Sequence, residues 1–181
     1  MLSPFEERVP PYAYGGTELV VYNLTEQLVK MGHEVTLLAS GDSQTSAKLK
    51  AVFERSLRNI SELNDMKIRE AYKLIGIGRL ATYLKENNFD IIHNHLGWRL
   101  LPFEKIFQCP VVTTVHGPLN IYYQQKVYRE FKQSNYISIS LNQRKPVPEL
   151  NFIANVYNGI DISAFKQNYN PQNYFVFLGR M

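Results

Sequence analysis

Cysteine is nearly missing from this 181-residue chain. Cys109 is the only one, so no intrachain disulfide can form and a reducing compartment fits. It stands between Gln108 and Pro110, just before an apolar run, the setting of a structural thiol rather than of a nucleophile. No apolar stretch approaches the ~20 residues of a membrane span. The start, Met-Leu-Ser-Pro-Phe-Glu-Glu-Arg, carries acid and proline where a signal peptide has a basic and then an apolar run. These absences predict a cytoplasmic protein. Runs of positive charge are also lacking. The net charge is +4 and the pI about 9.1, but the Lys and Arg residues are scattered, which argues against a nucleic-acid arm. There is no internal repeat and no low-complexity tract.

What remains is an ordinary globular composition, 45% hydrophobic and 20% charged, long enough for one well-buried domain and too short for two. Apolar segments of strand length alternate with amphipathic segments of helix length, the pattern of an α/β fold: a Rossmann-like parallel sheet with helices on both faces. Strands are expected over residues 35–39, 91–95, 111–115, 136–140 and 152–156. Their near-continuous apolar or β-branched runs fit strands buried on both faces. A first helix is expected between Thr17 and Met31, with Val20, Leu24, Leu28 and Met31 on its apolar face and Gly32 as its stop. A second should span residues 65–86, with Leu74, Ile77, Leu80 and Leu84 on one face. A third follows Pro118 through Tyr122, Val127 and Phe131, and residues 40–46 read as a loop.

Near the end, residues 166–173 lose almost all apolar content and read as a linker. The run Tyr-Phe-Val-Phe-Leu at 174–178 then looks like the first strand of a further domain. The expected division is therefore residues 1–165 as one domain, with 166–181 as a linker and the opening strand of a missing one. Met1 to Ser3 are too short for a full first strand, although Pro4 behaves like the start of the loop after one: either that strand is only three or four residues long, or residues before Met1 are missing.

The residues that carry chemistry sit where strands should end. Pro10-Pro11-Tyr12-Ala13-Tyr14-Gly15-Gly16-Thr17-Glu18 lies between the short first strand and the first helix. Adjacent glycines let a ligand approach the backbone, and the unpaired N–H groups of a helix start suit a phosphate. The stretch is neither G-x-G-x-x-G nor a P-loop, since no Lys follows at the needed spacing. Asp90-Ile-Ile-His-Asn-His places His93 and His95 at a strand end, and Thr113-Thr114-Val115-His116-Gly117-Pro118 places His116 and Gly117 at the next. Tyr157-Asn158-Gly159-Ile160-Asp161 follows the last strand. Singly, the glycine pair is also a tight turn with Thr17 as N-cap, each imidazole a hydrogen-bonded structural residue, and Asn158-Gly159 a turn. Together they gather outside the carboxyl ends of parallel strands, where ligands of open α/β sheets bind.

Gly-Gly-Thr-Glu, Gly-His-Glu-Val at 32–35, Asp-Ile-Ile-His-Asn-His, Thr-Val-His-Gly, Asn-Gly-Ile-Asp and Phe-Leu-Gly-Arg occur in one order from Pro10 to Arg180. In that order and spacing the chain resembles the N-terminal half of family 4 glycosyltransferases of the GT-B fold. The resemblance implies two Rossmann-like domains facing across a cleft, with the acceptor mainly on the N-terminal one and the donor nucleotide mainly on the other. It implies transfer of a hexose with retained anomeric configuration and no bound metal or cofactor, the nucleotide sugar being a substrate. Carried over by position, Gly15, Gly16 and Thr17 would meet the donor's phosphates, and His116 would be the catalytic imidazole near the donor hexose. Tyr12, Tyr14, His95 and Gly117 would border the substrate, and Asn158 to Asp161 would form an interdomain segment.

The second domain of that family, with its paired glutamates and phosphate-binding cations, is not in this sequence, so the chain is expected to be inactive or nearly so by itself. Its expected partners are a nucleotide sugar, a carbohydrate or lipid-linked acceptor, and the missing domain; a lipid-linked acceptor would bring peripheral contact with the inner membrane face. Other readings stay open. One is a stand-alone nucleotide-sugar-binding module working with a separate C-terminal chain. Another is a sugar-nucleotide 2-epimerase, though its carboxylate set is not found. A redox Rossmann domain is disfavoured by the missing dinucleotide fingerprint.

Overall fold

The computed structural model describes residues 1–58, 60–162, 166, 168–170 and 172–177. Helix α1 (Gly16–Lys30) leads to strands β1 (Thr36–Ser40) and β2 (Lys48–Phe53). Helix α2 (Met66–Glu86) is followed by β3 (Ile92–Asn94), β4 (Val111–Val115), α3 (Tyr122–Glu130), β5 (Asn135–Ser138) and β6 (Phe152–Asn155). All strand pairs are parallel: β1 with β2, and β3 through β6 in chain order. Leu2 joins the two groups by bridging to Leu38 on one side and Asn94 on the other. Its N–H donates to the His93 carbonyl at 2.9 Å and its own carbonyl accepts from His95 N–H at 3.1 Å. Across the sheet the order is β2, β1, the Leu2 segment, β3, β4, β5, β6. This is the α/β parallel-sheet fold the sequence predicts.

Strand alternation assigns the helices to faces. Leu38 packs in one cluster with Ile77, Leu80 and Leu84 of α2, together with Ile92 and Val111. Leu37 and Ala39, which point the other way, pack with Val21 of α1. Further along, Val115 and Tyr136 pack with Tyr128 of α3 and with Leu101. The α2 and α3 side is thus densely covered, whereas α1 covers only the β1 end of the opposite face.

Helix ends follow their local chemistry. The Asp65 side chain caps α2 by accepting from Lys67 N–H at 2.7 Å and Ile68 N–H at 3.1 Å, a contact worth about 1 kcal/mol. Gly32, at φ 90, ends α1 in the left-handed region, as expected. α1 itself begins at Gly16, so Gly15 occupies the cap position and Thr17 lies inside the first turn instead of capping it.

The structure departs from the expected elements in four places. β2 has no counterpart among the expected strands: Lys48 and Lys50 break the apolar run, because β2 is the edge of the sheet and only its end is buried. The buried line of α1 is Glu18, Val21 and Thr25, not Val20, Leu24, Leu28 and Met31; Met31 is 72% exposed. On α2, Leu74 is exposed and Gly76 and Ala81 are buried with Ile77, Leu80 and Leu84. Of the terminal run, Tyr174 to Phe177 are exposed and carry no strand, while Leu178 and the Gly179-Arg180 pair lie outside the described residues. Cys109 is half-buried at the edge of the α2-side core and unpaired.

Gly76 shows how tightly that core is filled. A Cβ there would stand 2.5 Å from Phe5 Cε2 and 2.8 Å from Phe53 Cε2, ring edges that are themselves buried, whereas a Cβ on Gly78 meets nothing within 4 Å. Gly76→Ala is expected to lower stability by about 1–3 kcal/mol through overpacking. Gly78→Ala, two residues along the same helix, should raise it by about 0.5–1 kcal/mol. Urea unfolding of both variants beside the parent chain reads the two signs.

Candidate functional site

Going along the chain, strands are added on one side of the Leu2 segment as far as β2, and then on the other side from β3 onward. The strand order therefore reverses between Leu2 and β3, and a crevice opens outside the carboxyl ends of the strands at such a switch point. Two segments leave the sheet there: the loop that begins after Ser3 and runs to Gly15-Gly16, and the turn that begins at His95.

The first loop stays on this rim. Phe5 and Glu6 carbonyls accept from Leu57 and Arg58 N–H beyond the end of β2, and the Val9 carbonyl accepts from Gln44 N–H beyond the end of β1. Glu6 is clamped to α2 by Arg69 at 2.6 Å and Lys73 at 2.8 Å. Gly15 is buried, and a Cβ there would sit 2.6 Å from Pro11 Cβ, so the packing of the loop on itself requires glycine. Gly16 is exposed with open space where its Cβ would be, leaving its backbone approachable. The first-turn N–H groups of Gly16 and Thr17 have no intrahelical backbone acceptor, and Gly15 has no side chain to cap them, while the Glu18 N–H meets its own carboxylate. The Glu18 carboxyl beside them is buried, which raises its pKa. Tyr12 is 82% exposed with the Arg8 guanidinium 4.3 Å from its ring centre, and Tyr14 stands over Arg58 at 5.9 Å.

At the next two strand ends the imidazoles come together. β3 and β4 are in register with Asn94 opposite Thr113, so the residues beyond them meet as well. His95 Nδ1 lies 2.7 Å from His116 Nε2, with the rings stacked at 5.0 Å. The His93 ring lies tilted against His95, centre to centre at 4.2 Å, and places Nε2 2.7 Å from Thr114 Oγ1. His95 is only 3% exposed, and its Nε2 has no hydrogen-bond partner. Burial holds His93 and His116 down to about 4, and it holds His95 well below the ordinary value of 6.5, helped by repulsion from His93 and His116. At neutral pH the row is three uncharged rings.

Two side chains that sequence reading missed fix these turns. Buried Asn94 donates to Thr113 Oγ1 at 2.9 Å and to the Gly97 carbonyl at 3.0 Å, and accepts from Leu96 N–H at 2.9 Å. Gln143 donates to the carbonyls on either side of His116, Val115 at 2.8 Å and Gly117 at 2.7 Å, while its Oε1 accepts from Ile139 N–H. A clamp of this kind has no sequence signature, since it forms only when residues more than twenty-five positions apart meet.

A cleft of about 1080 Å³ lies on the α1 face of the sheet beside this row. Its walls include Val20, Asn23, Leu24 and Gln27 of α1, then His93, His95 and Thr114, then residues 156–162. Of the expected site residues His95 borders it, as does Asn158 to Asp161; Tyr12, Tyr14, Gly15, Gly16, Thr17, His116 and Gly117 are not among its walls. His116 meets it through His95. The half-buried Val20 and Leu24, expected against the sheet, face this cleft instead. Among the described residues no group of three or more His, Cys, Asp or Glu side chains could hold a metal ion, and no helix is long and apolar enough to cross a membrane.

Comparison with known proteins gives the family and the fold. A family model described as Glycosyltransferase Family 4 matches residues 14–164. Among solved structures, the chain is similar to AviGT4, a glycosyltransferase involved in avilamycin A biosynthesis, with a TM-score of 0.59 at 19% identity. The match covers 91% of this chain and 43% of that one, so the chain spans less than half of its structural relative. No curated protein matches it.

The buried imidazoles link stability to pH. In the unfolded chain each accepts a proton near 6.5, but His93 and His116 in the fold resist protonation until about 4. Their stabilising contribution is complete above 6.5 and is lost as pH falls toward 4, by about 2 kcal/mol per ring between pH 7.5 and pH 5. Denaturant unfolding at the two pH values should show that His93→Gln and His116→Gln each remove roughly 2 kcal/mol of this acid loss. An unchanged pH dependence in both variants contradicts the reading of the row as buried and neutral.

Proposed function

Because the chain belongs to glycosyltransferase family 4, we propose that residues 1–165 are the acceptor-side domain of an enzyme that moves a hexose from a nucleotide sugar with retention of anomeric configuration. Residues 166–181 lead toward a donor-nucleotide domain. The observation that carries this reading is the meeting of His95 and His116 at the topological switch point, on the rim from which the Gly15-Gly16 loop also departs.

The chemistry divides by residue. When the glycosidic bond to the nucleotide breaks, negative charge develops on the diphosphate and positive charge on the sugar ring. In this reading the N–H groups of Gly15, Gly16 and Thr17 meet a phosphate oxygen, and the open side of Gly16 allows close approach. His116, uncharged and held by Gln143 and His95, serves as the catalytic group that hydrogen-bonds the hexose. Tyr12, Tyr14 and Gly117 border the substrates from the exposed side, and His95 supports His116 from below. No metal is needed in this scheme, since backbone N–H groups here and cationic side chains from the second domain share the charge.

The length of AviGT4, more than twice the matched span, supports a second domain as the other wall of the site. In this reading part of the charge stabilisation comes from that second domain, and residues 1–165 transfer sugar poorly or not at all by themselves. We place the enzyme in the cytoplasm, with a carbohydrate or lipid-linked acceptor at the inner membrane face. A stand-alone binding module that pairs with a separate chain accounts for the same site and differs only in how the second domain is supplied.

Titration of the ¹⁵N-labelled chain with UDP-, GDP- and ADP-hexoses tests the reading. The expected result is weak binding that shifts the amides of Gly15 to Glu18 and the His116 ring, with no detectable transfer. Turnover at an ordinary enzymatic rate, about 1 s⁻¹ or more, or shifts confined to other surfaces, contradicts it.

A further inference from the structure

We infer that His95 is a positioning residue that fixes the tautomer of His116, keeping the His116 proton on Nδ1 so that this ring offers the site a hydrogen-bond donor and not a base. The inference rests on the sugar-facing role proposed for His116 and adds to it the direction of the hydrogen bond.

The 2.7 Å contact between His95 Nδ1 and His116 Nε2 can carry only one proton. Two arrangements of uncharged rings satisfy it. In the first, His95 donates from Nδ1, so its Nε2 is a bare lone pair; His116 accepts at Nε2 and carries its own proton on Nδ1. In the second, His116 donates from Nε2 and its Nδ1 is bare, while His95 must carry its proton on Nε2. The two differ in what they leave buried, because His95 Nε2 is shut off from solvent and has no partner. The second arrangement strands an N–H donor there, whereas the first strands only an acceptor lone pair. Orphaned buried donors are the rarer and costlier of the two. The first arrangement therefore prevails.

The groups around the row do not overturn this. His93 faces His95 ring to ring at 4.2 Å and spends its Nε2 on Thr114 Oγ1, a hydroxyl that can give or take the proton. The Met1 amino group, also close enough to repel positive charge on His93 and His95, donates to the Thr36 carbonyl. Burial and mutual repulsion keep an imidazolium out of the row at neutral pH. On the far ring, no described residue takes His116 Nδ1, and Gln143 grips only the backbone on either side. His116 thus presents an N–H to whatever occupies the site. Such a group can hold a hydroxyl or ring oxygen of a sugar, and it cannot abstract a proton without first losing its own.

Long-range ¹H–¹⁵N correlation spectra of the full chain at pH 7.5 read the tautomer directly. The expected result is His116 with a protonated, pyrrole-type Nδ1 and a pyridine-type Nε2, in at least ~10-fold excess over the other form. His95→Asn, whose amide supplies a donor near the position of Nδ1, should keep that pattern. His95→Phe, which supplies none, should move His116 toward the Nε2–H form. A parent chain with His116 protonated mainly on Nε2 overturns the inference, as does a folded His95→Phe variant with the His116 pattern unchanged. Should His95→Phe fail to fold, the parent spectrum alone still decides. Adding UDP-glucose separates this result from the functional reading. The expected tautomer with no response to the nucleotide sugar keeps the inference and removes the reading; a response with the opposite tautomer does the reverse.

Discussion

The architecture turns on Leu2. This one residue pairs with Leu38 on one side and Asn94 on the other, and its backbone bonds to His93 and His95 stitch a two-stranded and a four-stranded group into one parallel sheet. Its side chain is fully buried in the α2-side core, a burial worth about 1.5–3 kcal/mol. The larger consequence is positional. With the first segment at the centre of the sheet, the strand order must reverse beside it, and the loops that open the chain and follow β3 emerge together. The candidate site is a result of that topology before any side-chain chemistry is considered.

Side-chain chemistry then fills the rim in a consistent way. Parallel strands buried on both faces leave few places for polar residues, and here they are pushed to the carboxyl ends. Each is answered locally: Asn94 by Thr113 and the 94–97 turn, Gln143 by three backbone groups, His93 by Thr114. Five described side-chain atoms are buried and unanswered: His95 Nε2, Ser3 Oγ, Arg8 Nε, Thr25 Oγ1 and Glu104 Oε1. An unpaired buried polar atom costs stability wherever it occurs. In the imidazole row one of these atoms stands beside two further rings, on the rim of the proposed site.

The site residues were legible because they interrupt apolar runs. His93, His95 and His116 stand out where β-branched strands stop, and Gly15-Gly16 stands out before a helix. Their contacts were not legible. That His95 touches His116 depends on the register of Asn94 against Thr113, and a one-residue slip would turn one ring to the other face. The fold was readable for strands with apolar sequence, β4 most closely, and unreadable for β2, whose lysines report an edge rather than a core. Helical periodicity located α1 but misjudged its buried line. Val20 and Leu24 are apolar because they wall a cleft, and Glu18 and Thr25 are buried because loop and sheet close over them. Apolar spacing alone does not distinguish a core face from a cleft face.

The central claim is that the Gly15-Gly16 backbone and the His116 ring border one ligand at the switch point. A crystal structure of the chain soaked with a nucleotide sugar tests it most directly. The account requires the diphosphate on the N–H groups at the start of α1 and the hexose within hydrogen-bond reach of His116 Nδ1. A ligand seated only between α1 and residues 156–162, touching neither the glycine pair nor His116, would contradict it.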